Sequence, residues 1–130
     1  MKLNFRRPNG FVIFWFLTFV VLTASCVLYS GPFSRVYRAH FGDLFGIMFV
    51  YFGWRLVIPA PSRNLALCLS ACMAYGVEVL QWFEPEFSNQ IARFLLGSVF
   101  DWKDVAMYTL GLGVAYWMDT SQKGSRNESP

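Results

Sequence analysis

Charge is scarce in this chain. Only 15% of its 130 residues are Asp, Glu, Lys or Arg, against about a quarter in an average soluble domain, too few to wet the surface of a soluble fold of this size. There is one histidine, and the three cysteines do not make the framework of a secreted disulfide scaffold. Eleven Lys and Arg against eight Asp and Glu leave a net charge of +3, too weak and too dispersed for a nucleic-acid partner. The chain has apolar residues instead: 55% are hydrophobic, with 14 Phe, 5 Trp and 6 Tyr, which excludes a disordered or collagen-like chain and points to a membrane protein of one domain.

A membrane span needs about 20 mostly apolar residues, and four stretches qualify as candidates. Gly10 to Tyr29 carries no charge. Phe41 to Ile58 has Asp43 near one end and Arg55 near the other, and is closed by Pro59 and Pro61. Leu65 to Phe83 carries only Glu78 and is closed by Pro85. The last, Val105 to Met118, spans roughly 21 Å as a helix, so it crosses only if Asp101, Lys103 and Asp104 join its first turns or the bilayer thins locally. Between the third and fourth lies Ile91 to Phe100, apolar except for Arg93 and too short to cross. The expected fold is an all-α membrane protein, four transmembrane helices with a short interfacial or re-entrant segment before the last. Residues 1–120 form a single helical membrane domain and 121–130 a disordered polar tail.

The excess of basic residues stays in the cytoplasm. With the N-terminus inside, Lys2, Arg6, Arg7, Arg55, Arg63, Lys123 and Arg126 face the cytoplasm, and Arg35, Arg38, Arg93 and Lys103 face out. Seven against four favours N-in and C-in. Tyr29, Tyr37, Trp82 and Trp102 then form the outer aromatic belt, and Trp54, Tyr116 and Trp117 the inner one. A cleaved signal is the rival for the N-terminus, since Lys2, Arg6 and Arg7 precede an apolar run ending in Thr23-Ala24-Ser25-Cys26. Thr23 stands where a lipoprotein site wants an aliphatic residue, and the run is long enough to span. Cys68 and Cys72 share a helix face, but no second Cys or His pair completes a metal site, and small residues at this spacing serve helix packing. No metal and no cofactor is expected.

Polar residues gather at one depth. Asp43 begins the second helix on the outer side, and Glu78 lies roughly 7 Å below the outer boundary at Phe83. Gln81 and Trp82 follow near its face. Asp101 and Asp104 start the fourth helix, and Arg38, His40 and Arg93 come from the outer loops. An ionisable group inside the bilayer costs at least ~2.5 kcal/mol and so faces the bundle interior and finds a partner. The structural alternative to a site is a buried ion pair of Glu78 with Arg93 or Arg38. For Asp43, Asp101 and Asp104 it is capping of a helix N-terminus. His40 reads either as a proton carrier or as polar filler.

Glu78-Val-Leu-Gln81, then Pro85, then Asp104 with Gly111 seven residues on, resembles the Glu-x-x-Gln…Pro and Asp-x-x-x-Asn-x-x-Gly pattern of the VanZ-like superfamily of small bacterial membrane proteins. Arg38-Ala-His40-Phe41-Gly42-Asp43 is similar to the polar start of that family's preceding helix. The run Leu95-Leu96-Gly97-x-x-Phe100-x-x-x-Asp104-x-x-x-Tyr108-x-x-Gly111 is closest to an uncharacterised branch. The resemblance covers roughly Arg38 to Gly113. Tyr108 stands where the wider family has Asn, and the Arg that follows the Pro there is missing, with Arg93 further along in its place. The resemblance implies a multi-helix protein of the bacterial inner (cytoplasmic) membrane connected with the cell envelope, and it supplies no reaction.

Two classes of function follow. In the favoured one the outer polar layer binds the head group of a membrane lipid or lipid-linked envelope precursor, with Arg38 and Arg93 for phosphate and Asp43, Glu78, Gln81 and Asp104 for hydroxyl or amide groups. In the other, a membrane-embedded hydrolase or transferase uses paired carboxylates such as Glu78 and Asp104 as acid and base or to hold a divalent ion. Four short helices leave little room for a transport pathway unless the chain assembles into an oligomer. The expected topology is checked by labelling cysteines introduced at single positions in intact cells: Ser34→Cys and Ser88→Cys react from outside, Ser62→Cys and Ser121→Cys are protected. Reaction of Ser121→Cys from outside overturns the orientation or the count of spans.

Overall fold

Each helix starts and stops where its sequence leaves the backbone no alternative. The computed structural model describes residues 9–58, 62–83 and 100–126, with side chains described up to residue 122. Helix α1 (Gly10–Leu28) begins after Asn9, whose carbonyl accepts the Val12 and Ile13 N–H groups. It ends at Tyr29, whose extended backbone leads into Gly31 and Pro32. A short α2 (Ser34–Val36) runs into a π-helical turn (Tyr37–Phe41) and on into α3 (Gly42–Val57). Ser62 caps α4 (Arg63–Phe83), its Oγ accepting the Leu65 N–H at 3.2 Å. Asp101 caps α5 (Trp102–Arg126), its Oδ1 accepting the Lys103 N–H at 2.9 Å. No strand occurs among the described residues.

The all-α expectation holds, with a correction to the four spans. Among the described residues, only α1 and α4 are long and apolar enough by themselves to cross a membrane. The α3 helix proper has 16 residues and carries Asp43 and Arg55, and α5 carries Lys103, Asp104 and Asp119 and turns polar after Met118. Asp119 is buried and pairs with Arg55 between α5 and α3, whereas Lys103 is exposed. Ile91 to Gly97 and the rest of the expected re-entrant segment up to Val99 lie outside the described residues. Helix α5 continues through 121–126, the first part of the expected tail.

Helices α3, α4 and α5 pack on one another, and α1 packs on α3. Val12, Phe19 and Cys26 recur at seven-residue intervals and form the buried line of α1. Rings carry this contact: Phe19 stacks on Phe52 with centroids 5.8 Å apart, and Phe16 on Phe49 at 5.1 Å. The remaining surface of α1 exposes Phe14, Leu17, Val21 and Leu28, and α4 exposes Val79, Leu80, Trp82 and Phe83.

One end of the trio is tied by charge. Asp119 of α5, 2% exposed, accepts the Tyr51 hydroxyl at 2.8 Å and Arg55 Nε at 2.7 Å, both from α3. Arg55 Nη2 reaches the other carboxylate oxygen at 3.3 Å, and Arg63 Nε of α4 stands 3.5 Å from it. Nearby, the Tyr116 hydroxyl donates to Asn64 Oδ1 at 3.0 Å. Asp119→Ala removes the common acceptor and leaves Arg55 and the Tyr51 hydroxyl unpaired in the core. The expected cost is about 3–5 kcal/mol, read as a loss of unfolding free energy in detergent. A change below ~1 kcal/mol shows that the clasp is solvated.

Candidate functional site

Along α4 the residues Ala66, Ser70, Ala74 and Glu78 recur every fourth position and are all buried. The first three are small, which lets α4 approach its neighbours closely. The fourth is a carboxylate on the same line. Glu78 is 2% exposed. Neither of its carboxyl oxygens completes a hydrogen bond among the described residues, and the backbone of Asp101 approaches it from the start of α5. Gln81, one turn on, is buried on the same face.

Two further carboxyl groups face this point. Asp43 lies one residue inside α3, but the helical backbone runs unbroken through the π-helical turn before it, so the N–H groups there are not orphaned and the capping role drops out. Asp104 is relieved of capping too, because Asp101 does that for α5. Asp43 and Asp104 meet side chain to side chain, within hydrogen-bonding reach of each other, and the Tyr108 hydroxyl joins Asp43 one turn along α5. Glu78 lies near enough to act electrostatically on Asp43, and Asp104 acts on Glu78. The layer is acidic. Among the described residues no Arg or Lys is ion-paired with any of its three carboxyl groups, and no metal-ligating cluster of three or more occurs. His40 and the exposed Lys103 bear on Asp104 only from the rim.

Arg38 is directed elsewhere. Its Nε and Nη2 both donate to the Tyr29 carbonyl, at 3.1 and 2.9 Å, and so satisfy the C-terminal end of α1. The π-helical turn that holds Arg38 also sets His40, whose Nδ1 donates to the Val36 carbonyl at 3.2 Å. Arg93 lies outside the described residues. The structure thus brings together Asp43, Glu78 and Asp104, keeps Gln81 on their side of α4, and separates Arg38 from them.

Sequence reasoning passed over Tyr51, Asp119 and the pairing of Arg55 and Arg63, because it used those arginines only to orient the chain. The signal was available: Asp104 and Asp119 are fifteen residues apart in α5, and Glu78 and Arg63 fifteen apart in α4. That separation is about 22 Å of helix and sets a second polar layer at the other end. Cys68 and Cys72 are exposed, so they are not packing residues of the inner face. An open apolar groove along the outside of α4, lined by Cys72, Tyr75, Gly76 and Val79 among others, contains no carboxyl group and is separate from the acidic layer.

The family described as "Protein of unknown function (DUF2809)" matches residues 33–112. The chain belongs to this family. The matched stretch starts just before α2 and ends in mid-α5. It includes the whole acidic layer and the Arg55 and Arg63 pair, and it leaves out α1 and Asp119. Comparison with curated proteins and with solved structures gives no match.

Gly111, near the end of the matched stretch, explains how α5 comes close enough for Asp104 to meet Asp43. A Cβ at Gly111 would stand 2.9 Å from the Leu44 carbonyl oxygen and overlap the Ile47 side chain. In an ordinary helix interior Gly→Ala gains about 1 kcal/mol of helix propensity. Here the clash is with backbone, and Gly111→Ala is expected to lower stability by about 1–3 kcal/mol in chemical unfolding. A stabilising Gly111→Ala shows that α3 and α5 do not touch there.

Proposed function

We propose that this protein is an integral membrane protein of the bacterial cell envelope. In this reading its acidic layer binds the polar head group of a membrane lipid or a lipid-linked envelope precursor. The observation that carries the reading is Glu78: a carboxylate buried in an apolar bundle, without a completed hydrogen bond among the described residues and facing two further carboxyl groups. A structural clasp would have closed on a cation, as Asp119 does at the other end. Leaving a buried acceptor unsatisfied costs about 1–3 kcal/mol, and more when it is charged, so a group that supplies donors binds there with advantage.

The membrane location is supported by the two long apolar helices and by the large side chains that α1 and α4 turn outward, a surface that water would penalise and lipid covers. The acidic and basic layers stand roughly 20 Å apart along α3, α4 and α5, which sets each a few ångströms inside a hydrocarbon core of about 30 Å. The order of Glu78, Gln81, Pro85, Asp104 and Gly111 supports kinship with the VanZ-like superfamily, and the count of Lys and Arg supports the N-in, C-in orientation with the acidic layer in the outer leaflet. With Arg38 committed to Tyr29 and Arg93 outside the described residues, the described carboxyl groups suit hydroxyl, amide or ammonium donors. The proximity of Asp43 and Asp104 also favours a second reading, a carboxylate-dependent hydrolase or transferase, since two adjacent carboxyl groups can serve as acid and base.

Glu78→Gln tests the binding role. The amide keeps volume and acceptor capacity, so the variant is expected to fold with an unfolding midpoint at or above that of the parent, yet to lose co-purifying envelope lipid in native mass spectrometry. Undiminished lipid retention by a folded Glu78→Gln protein refutes the head-group site.

A further inference from the structure

Among the described residues, the layer of Arg55, Arg63 and Asp119 at the opposite end of the bundle is not electrically closed. Asp119 offers one negative charge to two guanidinium groups. Arg55, with a side chain 8% exposed, occupies it with two hydrogen bonds. The Arg63 side chain is only 20% exposed, and its Nε stands 3.5 Å from the carboxylate. That approach is an ion contact without hydrogen-bond geometry, and the guanidinium donates no hydrogen bond among the described residues. The other polar groups at this end are already engaged: the Tyr51 hydroxyl with Asp119, and the Tyr116 hydroxyl with Asn64. Arg63 is also the first residue of α4, where the backbone dipole adds to its positive charge. Among the described residues, two mostly buried cations share one anion, so one positive charge and a planar set of donors are left unmatched there, which a low-dielectric surround makes unfavourable.

We infer that Arg63, backed by Arg55, binds a phosphate group at this end of the bundle. The guanidinium fork matches two phosphate oxygens. This inference rests on the membrane location proposed above but not on the acidic layer, which lies at the other end of the same helices. In that location the phosphate belongs to a phospholipid of the opposite leaflet, with free phosphate as the competing source.

The test uses the full chain purified in a maltoside detergent, which brings no phosphate of its own. The shift of the thermal unfolding midpoint is titrated separately with short-chain phosphatidylglycerol, with inorganic phosphate, and with a short-chain diacylglycerol that lacks the phosphate. Stabilisation by phosphatidylglycerol, or by phosphatidylglycerol and inorganic phosphate together, supports the site; the first result identifies a lipid head group, the second a site open to the free ion. Arg63→Gln, which keeps the Arg55–Asp119 pair, is expected to bind at least about tenfold more weakly, as loss of a hydrogen bond from a charged group entails. Arg35→Gln, at the exposed far end, should leave the titration unchanged. If Arg63→Gln does not fold, Arg63→Lys takes its place, and it is expected to keep the charge but lose most of the shift because the fork is gone. An equal shift with diacylglycerol, or an undiminished shift in a folded Arg63 variant, overturns the site. Alkaline extraction of cell membranes separates the two claims. Protein that pellets but shows no phosphate-dependent shift refutes the phosphate site alone, whereas protein released into the supernatant refutes the membrane location and the lipid source with it.

Discussion

The Asp119 carboxylate is the contact on which the three-helix arrangement depends. It lies in α5 and is held by Tyr51 and Arg55 from α3 and approached by Arg63 from α4, so a single buried group sets the register of three helices at once. In an apolar core, hydrophobic side chains of similar volume replace one another at modest cost. A buried charge is not replaced so easily. Displacing any of the three helices by one turn would leave Asp119 or Arg55 without its partner, at a cost exceeding what most single apolar contacts return.

Given that register, the other end of the bundle follows. Glu78 comes to the inner face because Ala66, Ser70 and Ala74 lead to it at four-residue steps, and Asp104 reaches Asp43 because Gly111 lets α5 pass close to the α3 backbone. The two layers differ in kind. At the Asp119 end acid and base are paired and close the bundle, with one guanidinium to spare. At the Glu78 end acids meet acids, and the described residues supply no ion-paired cation. The two ends therefore differ in how their charges are paired.

The family match covers most of both layers. It runs from Phe33 to Leu112 and so takes in the π-helical turn, α3, α4 and the first part of α5. Helix α1, outside it, is joined to α3 by stacked aromatic rings and to the π-helical turn by the Arg38 fork on the Tyr29 carbonyl. It contributes no charged group to either layer. Its role in the architecture is to cover one side of α3, as an apolar helix that is hydrophobic all round is suited to do.

Much of this was legible in the sequence. The scarcity of charge, the apolar runs and the prolines between them are local or compositional properties, and they sufficed to anticipate an all-helical chain and to place its helices approximately. The interior position of Glu78 was legible as well, because a lone carboxylate in a long apolar run has only one inexpensive direction to face. Partner choice was not. The sequence offered Arg38 to Glu78, but a carbonyl left open at the end of α1 lies nearer in space and took the guanidinium; it presented Arg55 and Arg63 as flanking charges, but Asp119, far along the chain, made them a clasp. It also presented α3 and α5 as apolar spans, although the polar groups that shorten their apolar runs are the ones that hold the bundle together. Which helices are apolar is a sum over neighbouring residues, which the sequence by itself determines. Which charges meet depends on distances between residues tens of positions apart, and those exist only once the helices have packed.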